Sequence, residues 1–105
     1  MTSDITHGTN NVFADLGLPD ADDRKTKTQL AISINAILMG RKLKQVAAGE
    51  VLGLPQPKVS ALKHYRLDGF SVERLMEMLT ALDRTVEIRI RRTESPGRVV
   101  VLTDP

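Results

Sequence analysis

The chain has no cysteine and no tryptophan, and its 105 residues hold only three aromatic side chains, Phe13, Tyr65 and Phe70. Without cysteine there is no disulfide, no thiolate zinc site and no sulfur nucleophile, and nothing points to an oxidising compartment. His7 and His64 are the only histidines, too few to build a metal site, so no cofactor or metal is expected. The scarcity of aromatics leaves an aliphatic core, which suits a helical bundle better than a β-sandwich. The apolar runs are far shorter than a membrane span, so no membrane partner is expected. The opening MTSDITHGTNN lacks the basic and apolar regions of a secretory signal, so a soluble cytoplasmic protein is expected. There is no Gly-rich phosphate loop and no histidine paired with carboxylates at ligand spacing. The serines lack a plausible base. An enzyme is therefore the weakest of the functional readings.

The length is one domain's worth, and 41% hydrophobic residues are enough for a small core. The net charge of +2 hides an uneven distribution. Residues 1–23 carry Asp4, Asp15, Asp20, Asp22 and Asp23 and no base, a charge of −5. Residues 41–66 carry Arg41, Lys42, Lys44, Lys58, Lys63 and Arg66 against Glu50 alone, a charge of +5. A basic block of this kind is the electrostatic footprint that a phosphate-binding surface needs.

Residues 1–11 are polar and read as disordered or loosely attached. Val12–Leu18 is a short apolar patch, expected to pack on the bundle rather than serve as a docking segment. Asp20 or Asp22 can cap a first helix that runs to about Arg41, with Leu30, Ile34, Ile37 and Leu38 as its buried stripe. Ile32 and Met39 lie off that stripe, so the helix is buried on two sides or meets another subunit. A second helix is expected from Gln45 to Leu52 and a third from Gln56 to about Tyr65. Pro55 and Pro57 are tolerated there because they fall before or within the first turn. Ser71 caps a fourth helix over 72–82, with Phe70 and Leu75 as a hydrophobic staple. Its expected stripe is Val72, Leu75, Met76, Leu79 and Leu82, with Met78 outside it. From Val86 the period changes to two: VEIRIR alternates apolar and charged residues, as a half-buried strand does. Ser95-Pro96-Gly97 marks a turn, and Arg98–Thr103 reads as a return strand. Such a hairpin is marginal alone and must pack on the bundle or pair with another chain.

The most informative stretch is LKQVAAGEVLGLPQPKVSALKH, residues 43–64. Gly49 falls where two short helices cross, so a side chain larger than alanine would part them. Gly53 lies four residues later, where the first of the two must stop and the backbone calls for a positive φ. Leu52, Leu54, Val59 and Leu62 supply apolar anchors on both sides of the turn. The pattern is that of a helix-turn-helix.

In this order of elements, over about residues 28–83, the chain resembles the phage-repressor-like, Xre-type DNA-binding domains. With its leading VFADLGL and trailing strand it looks like the small HigA-like antitoxins and regulators, many of which are encoded beside a RelE-like toxin. The resemblance implies a mainly α fold: a phage-repressor-like helical bundle with a helix-turn-helix plus a C-terminal β-strand or hairpin. It implies an N-terminal extension at 1–19, a DNA-binding domain at 20–83, and a C-terminal β segment at 84–105 that dimerises. By position, Gln45 corresponds to the glutamine that contacts a phosphate in phage repressors. Gln56 corresponds to the one that bonds an adenine edge, for which an amide is well matched. Pro57, Lys58, Ser60, Ala61, Lys63 and His64 complete the expected DNA face, with Lys44 among the phosphate contacts. Lys44 and Pro55 stand where relatives carry capping residues, and Pro57 where many carry a hydroxyl, so the operator cannot be inferred. The implied function is a sequence-specific transcriptional regulator, an autorepressor that binds double-stranded DNA as a homodimer. The alternative is an antitoxin whose main role is to neutralise a basic RelE/HigB-like toxin, motivated by the acidic 1–23 segment.

Overall fold

Four helices account for the regular structure of residues 20–104, the part of the chain that the computed structural model describes: α1 (Asp20–Gly40), α2 (Gln45–Leu52), α3 (Gln56–Lys63) and α4 (Val72–Ala81). The expectations for residues 1–11 and for Val12–Leu18 fall outside it. The long α1 packs along α4, and α2 and α3 pack on each other and on this pair. The stripe expected on α1 is the one that is buried. Leu30, Ile34 and Leu38 enter the core with Ala31, Ile37 packs at its edge, and Ile32 and Met39 stay exposed. Val59 and Leu62 of α3 meet Ala48 and Leu52 of α2 in the same aliphatic cluster. No helix among the described residues is long and apolar enough to cross a membrane.

α4 shows how local chemistry sets the frame. The Ser71 hydroxyl accepts the Arg74 amide at 3.0 Å, the expected N-cap. Phe70 and Leu75, one before the cap and one a turn inside, are both buried. Met78 corrects the expected stripe: it is 1% exposed, and Met76 is only partly buried. Met78 stands three residues after Leu75 and four before Leu82, so it shares their face and widens the buried arc. It is not available for an interface.

Each helix ends on a left-handed residue: Lys42 (φ 57°), Gly53 (φ 69°), Tyr65 (φ 59°) and Asp83 (φ 65°). At Lys42, Tyr65 and Asp83 the amide bonds the carbonyl three residues back, and the next amide bonds the carbonyl five back, as in Tyr65 N–H to Leu62 O and Arg66 N–H to Ala61 O. These double bonds close the helix end, and the strain at a non-glycine residue is accepted in return. Arg41, expected in the last turn of α1, lies just past it. Its Nη2 donates to the Leu82 carbonyl at 2.7 Å and approaches the Asp83 carboxylate at 3.5 Å, tying α1 to the end of α4.

The C-terminal hairpin is not there. No strand occurs among the described residues, neither at Val86–Arg91 nor at Arg98–Thr103. The alternation is present in the sequence, but a strand needs a partner, and residues 85–104 make no backbone–backbone hydrogen bond among the described residues. The segment is instead tacked onto the helices at a few points. Val86 and Val101 pack against the core, and the Thr103 hydroxyl lies 3.1 Å from that of Ser33 on α1. Ile88, Ile90 and Leu102 stay exposed.

Candidate nucleic-acid interface

The α2–turn–α3 unit runs from Gln45 to Lys63 and has the bounds that the sequence pattern set for α2 and for the start of α3. α3 is two residues shorter than expected, because Tyr65 takes the left-handed conformation. Neither α2 nor α3 has a side-chain cap: Lys44 and Pro55 hold the N-cap positions with extended backbone and no cap hydrogen bond. The turn is fastened by backbone instead. The Leu54 amide bonds the Gly49 carbonyl at 2.9 Å, and the Pro55 carbonyl accepts from Lys58 and Val59. The close crossing at Gly49 is tighter than the sequence implies. A Cβ built there would stand 2.7 Å from the Leu54 carbonyl oxygen and 3.4 Å from Val59 Cγ2. Even alanine is too large, which corrects the expectation that only bigger side chains would part the helices.

α3 turns Val59 and Leu62 inward, both fully buried. Pro57, Ser60, Ala61 and His64, spaced one, three and four apart, fall on the opposite side, flanked by Gln56 and Lys63. Gln56, Pro57 and His64 are exposed and Ser60 and Lys63 half-exposed, whereas Ala61 is partly packed against the core. Lys44 is exposed and Gln45 half-exposed at the start of α2. Among the described residues the side chains of Lys44, Gln45, Gln56, Ser60 and Lys63 make no hydrogen bond or ion pair, and Gln45 and Gln56 do not bond each other. Their polar ends remain available. His64 is committed on one side: its Nδ1 donates to the Ser60 carbonyl at 2.8 Å. In that tautomer the neutral ring offers a bare Nε2, which can donate to a phosphate only as imidazolium.

Lys58 departs from its expected place beside Gln56. Its ammonium donates to the Gly69 carbonyl at 3.0 Å and sits 4.9 Å from the centroid of the Phe70 ring. To touch DNA it must leave both partners. Lys58→Met should lower the stability of the free protein by about 0.5–1 kcal/mol, and the salt slope tells whether Lys58 keeps these partners on DNA. If it keeps them, the substitution leaves the salt dependence of DNA binding unchanged. A slope reduced by about one would instead make Lys58 a phosphate contact.

Two further side chains hold this unit, and neither stands out in the sequence pattern. Arg74 on α4 donates Nη2 to the Leu52 carbonyl at 3.3 Å, gripping the end of α2 just before the turn. Asn35 on α1 donates Nδ2 to the Leu62 carbonyl at 3.1 Å, near the end of α3. The available signal for Asn35 was a weak helix former inside an apolar stripe. For Arg74 it was a base at the position where a capping box places glutamate.

Residues 12–91 match a family described as a helix-turn-helix domain. The match takes in the VFADLGL segment as well as the four helices. A solved structure provisionally named as an XRE family transcriptional regulator is 49% identical, with a TM-score of 0.79 over 82% of this chain and 100% of that one. No curated protein matches the chain.

Proposed function

The chain belongs to the XRE-like helix-turn-helix family, and from that premise we propose that it is a DNA-binding transcriptional regulator that reads a specific operator with α3 and represses its own gene. The observation that carries the reading is the outward face of α3. Among the described residues the polar ends of Gln56, Ser60 and Lys63 are unengaged, the inward face of the helix is locked by Val59 and Leu62, and it lies within the basic block at 41–66. Gln56 reads a base edge through its amide, and Lys44, Gln45 and Lys63 hold phosphates. Pro57, Ser60 and Ala61 are small enough to let the groove wall approach.

One α3 meets about four base pairs, too few for a unique site, so two copies bind a palindrome with half-sites about one helical turn apart. The C-terminal segment supplies the contact between copies. Among the described residues its backbone at 85–104 bonds no other backbone group, and Ile88 and Ile90 are 63% and 80% exposed. An antitoxin role is a second reading, favoured by the five aspartates of residues 1–23, which suit a basic partner. A basic, RNase-like reading frame next to this gene would support it.

The test is to sequence the genomic fragments that the purified protein retains. A shared palindrome is expected. On it, Gln56→Ala should cost about 1–3 kcal/mol and relax preference at one base pair, whereas Lys44→Ala weakens all sequences alike and flattens the salt slope. Equal losses on operator and random duplex for Gln56→Ala would remove that residue from base reading.

A further inference from the structure

Asn35 holds α3 by a bond that the fold does not need. The Leu62 carbonyl already accepts the Tyr65 amide at 3.2 Å within the cap that closes α3, so it would stay satisfied if Asn35 Nδ2 were absent. The other end of the same amide is a liability. Asn35 Oδ1 is buried and has no hydrogen-bond partner among the described residues. Burying an acceptor without a partner disfavours folding, and an apolar residue of similar size avoids that cost. Its neighbours on α1 include Ile34 and Leu38, both almost wholly buried, so leucine would be at home at this position.

We infer that Asn35 is a positioning residue for DNA recognition, kept for where it puts α3 and not for stability. Apolar burial of Val59 and Leu62 holds α3 in the core but has no direction. It permits small rotations and slides of an eight-residue helix. A hydrogen bond fixes distance and angle, and a single buried polar tie is a known way to set one register among several. The bond sits at the C-terminal end of α3, and Gln56 stands at the other end, almost two turns away. A slight turn of the helix about this point carries the Gln56 amide out of hydrogen-bond geometry with a base edge, while phosphate contacts, which tolerate more, survive. The inference rests on the reading of α3 as the recognition helix.

The experiment uses the full chain and the operator fragment selected with the unaltered protein. For Asn35→Leu the thermal midpoint should hold or rise. Operator affinity should fall at least tenfold, while random-duplex affinity and the salt slope stay as they were. Parallel loss of thermal midpoint and both affinities would make Asn35 structural only and overturn the inference, as would undiminished operator affinity. Asn35→Ala removes the same donor and answers the question if the leucine variant does not fold. Its ratio of operator to random-duplex affinity must drop tenfold, and an unchanged ratio overturns the inference. If the unaltered protein selects no operator, the DNA-reading proposal fails before any variant is compared, and the role of Asn35 fails with it.

Discussion

Gly49→Ala is expected to destabilise the protein by about 1–2 kcal/mol, and Gly49→Val to leave it largely unfolded at ordinary temperature. In an exposed helix the alanine change would gain about 0.5–1 kcal/mol through reduced backbone freedom. Here the added Cβ meets the Leu54 carbonyl oxygen at 2.7 Å, a backbone atom that cannot swing aside. The Leu54 amide is bonded to the carbonyl of Gly49 itself, so relief requires the turn to open and α3 to move outward with Val59. Overpacking of this kind costs about 1–3 kcal/mol, more than the propensity gain returns. Valine adds two further carbons in the same space. Operator binding should fall with stability, because the turn that opens is the one that presents α3. Gly40→Ala is the matched control: a Cβ there meets nothing within 4 Å, so it should be neutral or slightly stabilising. Thermal denaturation of the three variants decides the matter. A Gly49→Ala protein as stable as Gly40→Ala would mean that α2 and α3 do not approach as closely as the structure has them.

The same position shows what the sequence makes legible. That two helices meet at Gly49 follows from its spacing to Gly53 and to the apolar anchors, and α2 has the bounds that this spacing gives. How closely they meet depends on where a carbonyl five residues on points, which no residue type records. Met78 was missed for a simpler reason: the buried arc of α4 is wider than one stripe, because both α1 and the α2–α3 pair pack near it. The α3 face was legible because Val59 and Leu62 fix the inward side, and the outward side follows from helix geometry. Lys58 and Arg41 show the limit of counting charges. Both belong to the basic block, yet each spends its charge on a carbonyl of the fold, at Gly69 and Leu82. Asn35 and Arg74 gave only faint signals, because their partners are backbone carbonyls on other helices, contacts that no spacing along the chain specifies. At Val86–Arg91 the pattern was read correctly and the conclusion was not, because alternation describes a segment able to pair and does not supply the partner.

The second large expected effect lies in the C-terminal segment. If the chain pairs as proposed, Ile88→Lys combined with Ile90→Lys should turn that dimer into a monomer and lower operator affinity by about two orders of magnitude. Both side chains are well exposed, so the folded monomer should tolerate the change. In an extended chain Val86, Ile88 and Ile90 share one side and Glu87, Arg89 and Arg91 the other. If two copies run antiparallel about an axis at Ile88, that residue meets its twin and Val86 lies beside Ile90. Glu87 then lies beside Arg89 and Thr85 beside Arg91, so within residues 85–91 no arginine faces another. Backbone groups of 85–91, which have no backbone partner among the described residues, gain partners in the same step. Lysines at 88 and 90 place like charges together across that axis and remove its apolar contact. The affinity falls because each monomer then binds a half-site without the help of a linked neighbour. Deleting residues 85–105 should also give a monomer, but it takes Val86 and Val101 from the core and so lowers stability as well. Light scattering reads the outcome directly. A double variant that stays dimeric would move the interface to α1, where Ile32 and Met39 are the exposed apolar side chains seven residues apart on one face.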